Sequence, residues 1–279
     1  MYPLRTRLKQ KLYHPFVSHK VSIPFISQAF FRSICDVVIE SHNSFKNLSL
    51  RKARNQRTIY CNSAVLRDFL SEFASDLQGV RLIAGGSDEI FIDEDLQLGK
   101  VSRLYLQNSH ISEGKRVLTL PIGLEDLALA LNGFPSLLKS RHTTARRRVL
   151  VGPFSSTHPI RSEILRSIQT NEEIVTLKSQ LSPKKYSHLV QEFPAIACPR
   201  GNGEDTHRLW ETLYRGSIPV LVRNKWSMSL EAMGVPLILI DDWSEDALSS
   251  IITQVPLKPL QPQQILILWS SYWINEMNR

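Results

Sequence analysis

The sequence predicts an α/β protein of two parallel-sheet halves, and three observations lead there. From residue 149 onward, short runs rich in Val, Ile and Leu alternate with helix-period stretches about every 20 residues, the pattern of a right-handed parallel sheet. Earlier, residues 58–86 run strand, helix, strand and end on Gly85-Gly86, a glycine turn at the carboxyl end of a strand, where such sheets hold ligands. Between these regions the segment 140–148, SRHTTARRR, is polar and dense in charge. It divides the chain into halves of about 130 residues, a comfortable domain size.

The elements follow in order. Residues 1–30 form a basic arm in which Lys and Arg mix with Leu, Phe and Tyr; Pro3, Pro15 and Pro24 rule out one long helix. The first half, residues 31–140, starts with a strand pattern at 34–40, a polar loop at 41–57 and a strand at 58–60. A helix at 65–73 and a strand at 80–84 complete its first unit. Asp88 just beyond the glycine turn is a candidate cleft carboxylate, or a turn residue bonded to its own backbone. Further strands are expected at 102–106 and 117–120, then a turn at Pro121-Ile122-Gly123 and a short helix at 125–131.

After a linker at 141–148, the second half, residues 149–279, is more regular. Strands are expected at 149–151, 173–177, 195–198, 218–222 and 236–240. A helix at 160–170 separates the first two, and Ser182-Pro183 opens the next in N-cap and N1 positions. Ser156, Thr157 and Arg161 fall at the carboxyl end of the first of these strands, Asp241 and Asp242 at the end of the last. Helices near 244–253 and 261–277 close the chain.

Composition bounds the function. Hydrophobic residues make up 42% and charged ones 22%, as in an ordinary globular protein. Lys and Arg outnumber Asp and Glu by 34 to 26, a net +8 that suits anionic partners such as a nucleotide diphosphate or an acidic headgroup. No helix-turn-helix, zinc spacing or aromatic RNA-binding strand accompanies that charge, so nucleic acid is not an expected partner. Cys35, Cys61 and Cys198 lie in or beside apolar runs and are expected as buried thiols. With no run long enough to span a bilayer and no signal-peptide apolar region, a cytoplasmic protein is expected; the basic arm offers peripheral membrane contact.

Residues 195–222, AIACPRGNGEDTHRLWETLYRGSIPVLV, carry the most chemistry. Ala195 to Cys198 is a buried strand, and Gly201, Asn202 and Gly203 supply a turn that tolerates positive φ and lets backbone N–H groups approach a ligand. Asp205 is placed as N-cap of a helix running to about Tyr214, with Gly216 as its stop. A helix opening from a glycine turn at the end of a buried strand is a phosphate seat, and Arg200 and Arg208 can add bidentate bonds to a diphosphate. Thr206, Leu209, Trp210 and Leu213 face the core at helical spacing. Glu204, Arg208, Glu211 and Arg215 then share the opposite stripe, with Glu211 as acceptor for ribose hydroxyls. The same four form two i,i+4 pairs of opposite charge, as on any solvated helix face.

The run CPRGNGEDTHRLWETLYRGSIPVLV resembles the donor-site segment of exostosin-type glycosyltransferases. LPIGLE at 120–125 and the pair Gln107-Asn108 are similar to shorter signatures of that family. The resemblance implies two Rossmann-like lobes of the GT-B type with a cleft between them, an acceptor side on the first lobe, a nucleotide sugar on the second, and a final helix carrying Trp269, Tyr272 and Trp273 that docks back across the lobes. It implies transfer of a sugar to a hydroxyl of a carbohydrate or glycolipid, with no cofactor and no divalent metal. Asp93-Glu94-Asp95 spells the competing metal-dependent motif. If the reaction inverts the anomeric centre, a base must deprotonate the acceptor, and Asp88 and Glu125 are the candidate catalytic residues. Two other readings stay open: a nucleotide-sugar epimerase of the same fold, and a non-catalytic basic nucleic-acid-binding protein.

Overall fold

The computed structural model describes residues 24–46, 57–92, 96–111, 116–126 and 134–278. Most of the basic arm, the Asp93-Glu94-Asp95 motif and the greater part of the helix expected at 125–131 lie outside the described residues. Two five-stranded sheets, both wholly parallel, form the fold.

The first sheet holds β1 (Val37–Ile39), β2 (Thr58–Asn62), β3 (Arg81–Gly85), β4 (Arg103–Leu106) and β5 (Val117–Thr119), lying side by side in chain order. That order is sequential, with no reversal of winding. Helix α1 (Gln28–Ser33) precedes β1, α2 (His42–Lys46) follows it, and α3 (Leu66–Phe73) joins β2 to β3. Among the described residues, the connections from β3 to β4 and from β4 to β5 hold no helix.

The second sheet contains β6 (Val149–Val151), β7 (Ile174–Thr176), β8 (Ala195–Ala197), β9 (Ile218–Val222) and β10 (Ile238–Ile240), in the spatial order β7-β6-β8-β9-β10. This is doubly wound. From β6 the chain goes outward to β7, then crosses back to β8 and winds the other way, so the β6/β8 boundary is a topological switch point. The crossovers carry α4 (Pro159–Ser167), α5 (Pro183–Leu189), α6 (His207–Tyr214) and α7 (Lys225–Ala232), with α8 (Glu245–Ser250) after β10.

Period-two alternation sorts the strand residues between cores. Ile59, Cys61, Leu82, Ala84, Leu104 and Leu106 point to one face of the first sheet with Phe69 and Phe73 of α3. Their alternates Tyr60, Ile83 and Tyr105 point to the other, where they share one cluster with Leu150 and Ile196 of the second sheet and Leu209, Trp210 and Leu213 of α6. A single apolar core therefore joins the two halves.

The final helix, α9 (Ser270–Asn278), adds to that join. Trp273 meets Phe31 and Tyr105 edge to face, and Glu276 accepts from Arg103 Nη1 at 2.9 Å and from the Tyr105 hydroxyl at 3.2 Å. The expected docking across the halves is present, although the helix starts only at Ser270, Pro262–Gln264 and Leu266–Leu268 before it being 3-10 turns. Helix α7 has no counterpart in the sequence reading; a capping box between Asn224 and Ser227 opens it. Cys35, Cys61 and Cys198 are free thiols; Cys61 and Cys198 are buried as expected, whereas Cys35 is half-buried. Among the described residues, no helix is long and apolar enough to cross a membrane.

The segment 141–148 is less a solvated linker than a strap. Arg141 is buried, and its guanidinium donates to the carbonyls of Gly216, His142, Leu257, Pro256 and Lys258, while Arg147 Nε donates to Val255 O. A planar fork with five donors suits such a crowd of carbonyls, a need that composition does not reveal. Arg141→Met should leave several buried carbonyls unpaired and cost about 3 kcal/mol or more in urea denaturation. Trypsin should spare the Arg141 bond in the native protein.

Candidate functional site

Loops leaving the carboxyl ends of β6 and β8 meet at the switch point, and arginines fill it. Arg161, buried on α4, donates from Nε to Arg200 O at 2.8 Å, from Nη2 to Pro199 O at 3.2 Å and from Nη1 to Ser155 Oγ at 3.0 Å. It laces the loop after β6 to the loop after β8. Arg208, in the first turn of α6, donates to Pro153 O, to the Tyr186 hydroxyl at 2.9 Å and to Gly152 O at 3.4 Å, with Phe154 and Tyr186 rings beside its guanidinium. Among the described residues, neither arginine has a carboxylate within ion-pair range, so two neighbouring cations rest on neutral oxygens. Burial, followed by the charge of Arg208, pulls the Arg161 guanidinium down to about 10.

The glycine turn works differently from the expectation. Gly201, Asn202 and Gly203 do not take positive φ; what the site requires of the glycines is space. A Cβ on Gly203 would stand 2.7 Å from Asn108 Nδ2, and one on Gly201 would stand 3.2 Å from Arg161 Nη2 and from Thr157 Oγ1. Asn108, which itself takes positive φ, reaches across from the end of β4 and accepts from the Asp205 N–H at 2.8 Å.

Asp205 is not the N-cap of α6. That position belongs to Thr206, which makes no side-chain cap bond. The Asp205 carboxylate is buried, with Oδ2 accepting from the Ile122 N–H and Oδ1 from Trp210 Nε1, both at 2.7 Å. Beside it, His207 Nδ1 donates to Gly123 O at 2.8 Å. Asn108 and the 120–125 loop thus hold residues 205–207 against the first half, while Gln107 bonds Gly86 and Ser87 on its own side. Burial pushes the Asp205 carboxyl up to about 7, against the pull of the Ile122 and Trp210 donors.

The remaining candidates divide. Asp88 is exposed at the end of β3 and accepts from Asn202 Nδ2 at 3.1 Å, which brings it onto the turn. Glu125 is half-buried just after the bridge between Ser27 and Leu124. Glu211 is not on a solvated stripe. It is 5% exposed and its Oε2 lies 3.5 Å from Nη1 of Arg215, also buried, because this face of α6 packs inward as well. The expected Glu204–Arg208 pair is absent; Arg200 Nη1 takes Glu204 Oε1 at 3.0 Å instead. Gly216 stops the helix at positive φ, with Ser217 N–H on Thr212 O and Gly216 N–H on Leu213 O, the double bond of a Schellman ending.

Sequence reasoning missed two residues at this junction. His110 places Nε2 3.7 Å from Glu204 Oε1, and Asn224 Nδ2 donates to Glu204 Oε2 at 3.3 Å. No local signal marks either one, since they lie far from Glu204 in sequence and on other strand ends. Among the described residues, no group of three or more His, Cys, Asp or Glu is placed to hold a metal ion.

No family model and no curated protein matches this chain. Among solved structures it is similar to the spinosyn rhamnosyltransferase SpnG complexed with thymidine diphosphate, at 12% identity and a TM-score of 0.36, over 99% of this chain and 78% of the other. The same enzyme complexed with spinosyn aglycone gives 12% and 0.35 over the same shares. SpnG without those ligands gives 14% and 0.35, over 90% and 74%. A likeness of this size carries no argument about function, so the reading below rests on the residues themselves.

Asp205 yields a pH signature. A native carboxyl titrating near 7, against about 4 when unfolded, binds more protons than the unfolded chain between those values. Its contribution to stability therefore falls as pH rises through that window and is level above it. Urea denaturation at a series of pH values should show this slope in the wild type and lose it in Asp205→Asn. That variant should also be less stable throughout, since an amide offers only one acceptor to the two donors.

Proposed function

We propose that the chain is a glycosyltransferase that takes a nucleotide diphosphate sugar at the β6/β8 switch point and transfers the sugar to a hydroxyl of a carbohydrate or glycolipid. One observation carries the reading: Arg161 and Arg208 stand together at that boundary with only neutral oxygens as partners. In doubly wound sheets ligands bind at the switch point, outside the carboxyl ends of the strands. Two neighbouring cations without a counterion, Arg161 buried and Arg208 half-buried, favour a dianion there, and the start of α6, with no side-chain cap, adds its dipole. Arg200 is the third cation, on the turn itself.

Departure of a nucleoside diphosphate builds negative charge on its phosphate oxygens. Fixed guanidinium groups stabilise that charge without having to reorganise as it forms. Asp88, held at the turn by Asn202, is the first candidate for the base that takes the acceptor proton, with Glu125 the second. Glu211, on the same helix as Arg208, is buried against Arg215, so the ribose role expected of it is not part of this reading. The resemblance of residues 198–222 to exostosin-type donor segments supports the assignment independently of the geometry.

Arg208→Gln should weaken nucleoside diphosphate binding roughly ten- to a hundredfold and leave the corresponding nucleoside within about twofold, the loss expected for one charge-assisted bond. Calorimetry with UDP, GDP and their nucleosides, on protein shown to be folded by circular dichroism, measures this. Equal losses for both ligands would remove the diphosphate from this site. With arginines in place of a divalent ion, transfer should also persist in excess EDTA. Complete loss that Mg²⁺ or Mn²⁺ restores would put the Asp93-Glu94-Asp95 motif in charge.

A further inference from the structure

Of the three arginines, Arg161 and Arg208 are fixed by carbonyls of other loops, whereas Arg200 is folded onto its own turn. Its Nη2 donates to Asn202 O at 2.9 Å and its Nη1 to Glu204 Oε1 at 3.0 Å, and its side chain is 30% exposed. To meet an anion it must leave Glu204. That carboxylate cannot follow: it is 12% exposed, with Oε2 held by Asn224, whose own Oδ1 caps α7.

Opposite Glu204, on the first half, the His110 ring nitrogen Nε2 is buried and has no hydrogen-bond partner. Among the described residues its ion-pair contact is Glu204 Oε1 at 3.7 Å, the oxygen that Arg200 occupies, and the side chain as a whole is 21% exposed, open to proton exchange with water. The loop packed against His110 on its own half, which accepts the His110 N–H at Phe91 O, carries Asp88 and Glu89; Asp88 is engaged by Asn202 and Glu89 by Arg67. On its other side, among the described residues, Glu204 is paired with Arg200. Glu204 is thus the carboxylate open to His110.

We propose that His110 and Arg200 compete for Glu204, so that a proton on His110 releases Arg200 to the diphosphate and donor binding takes up that proton. Glu204 and His110 are positioning residues for Arg200. The inference rests on the donor reading above. It adds a control across the two halves: the first half, where the acceptor is expected, sets the charge available to the donor in the second. The Glu204 carboxyl already lies below its ordinary range: burial works to raise it, and His110 and Arg200 outweigh that effect.

The test has two parts. In the free protein, NMR titration of the His110 imidazole, assigned by its loss in His110→Gln, should move to higher pH in Arg200→Ala and to lower pH in Glu204→Gln. For binding, UDP-glucose and GDP-glucose are the probes, since their diphosphate diesters carry no group that titrates near neutrality. Affinity for the one that binds should rise roughly tenfold from about pH 8 to about pH 6 in the wild type. Calorimetry in buffers of different ionisation enthalpy should register proton uptake. His110→Gln should bind with the weaker affinity of the high-pH wild type, without pH dependence or uptake. A merely structural role for the pair would change affinity equally at every pH. Binding that is independent of pH, or an unmoved His110 titration in both variants, would overturn the inference and leave the donor reading intact. Failure of both diesters, UDP and GDP to bind at any pH would overturn the donor reading and this inference together.

Discussion

The carboxylate of Asp205 ties the candidate site to the rest of the molecule. One oxygen accepts from the backbone of the first half at Ile122, the other from Trp210 in the core that both sheets share, while its own N–H is held by Asn108. The bonds on either side of one Cα leave the 199–206 turn little freedom relative to either sheet. A carboxyl removed from water is costly unless its oxygens are satisfied, and here two donors at short range do so. Gly203 belongs to the same joint, because a side chain there would push Asn108 away.

The electrostatics of the switch point follow from that fixed turn. Arg161 can lace two loops only if the carbonyls of Pro199 and Arg200 come to it, and they come because the turn is anchored from the far side. Backbone carbonyls solvate a guanidinium without neutralising it. The cost of holding two such cations close together is met by the packing of α4 and α6, whose apolar faces fill separate cores of the second sheet. An anion arriving there would relieve repulsion already present in the fold, which is what the proposed donor role asks of the site.

The shared core shapes how the two halves can act. Tyr60, Ile83 and Tyr105 of the first sheet pack with Trp210 and Leu213 of the second, and Trp273 of the final helix closes the cluster. Polar groups line the join where the strands end: Asp88 with Asn202, and His110 facing Glu204. Apolar packing fixes the halves, and the polar fringe carries the groups that can exchange partners.

Local pattern was enough for much of this. Period-two alternation and β-branched runs located β6 and β9 to the residue, Ser182-Pro183 opened α5 where it should, and Gly216 ended α6, because each depends on backbone preferences of adjacent residues. The same pattern placed Arg161, Arg200 and Arg208 at strand and helix ends. Sheet order lay beyond it: nothing in the spacing separates the sequential winding of the first sheet from the reversal in the second, since both alternate strand and connection. Nor could helical periodicity show that Glu211 and Arg215 are buried, because α6 is covered on both faces by chain that comes from elsewhere. Asp205 has the look of a cap to anyone reading its neighbours, yet its partners Asn108 and Ile122 lie roughly a hundred residues away. The sequence by itself determined the elements and the charges at their ends; which charges meet was decided by tertiary structure, since those pairings exist only once two sheets share one core.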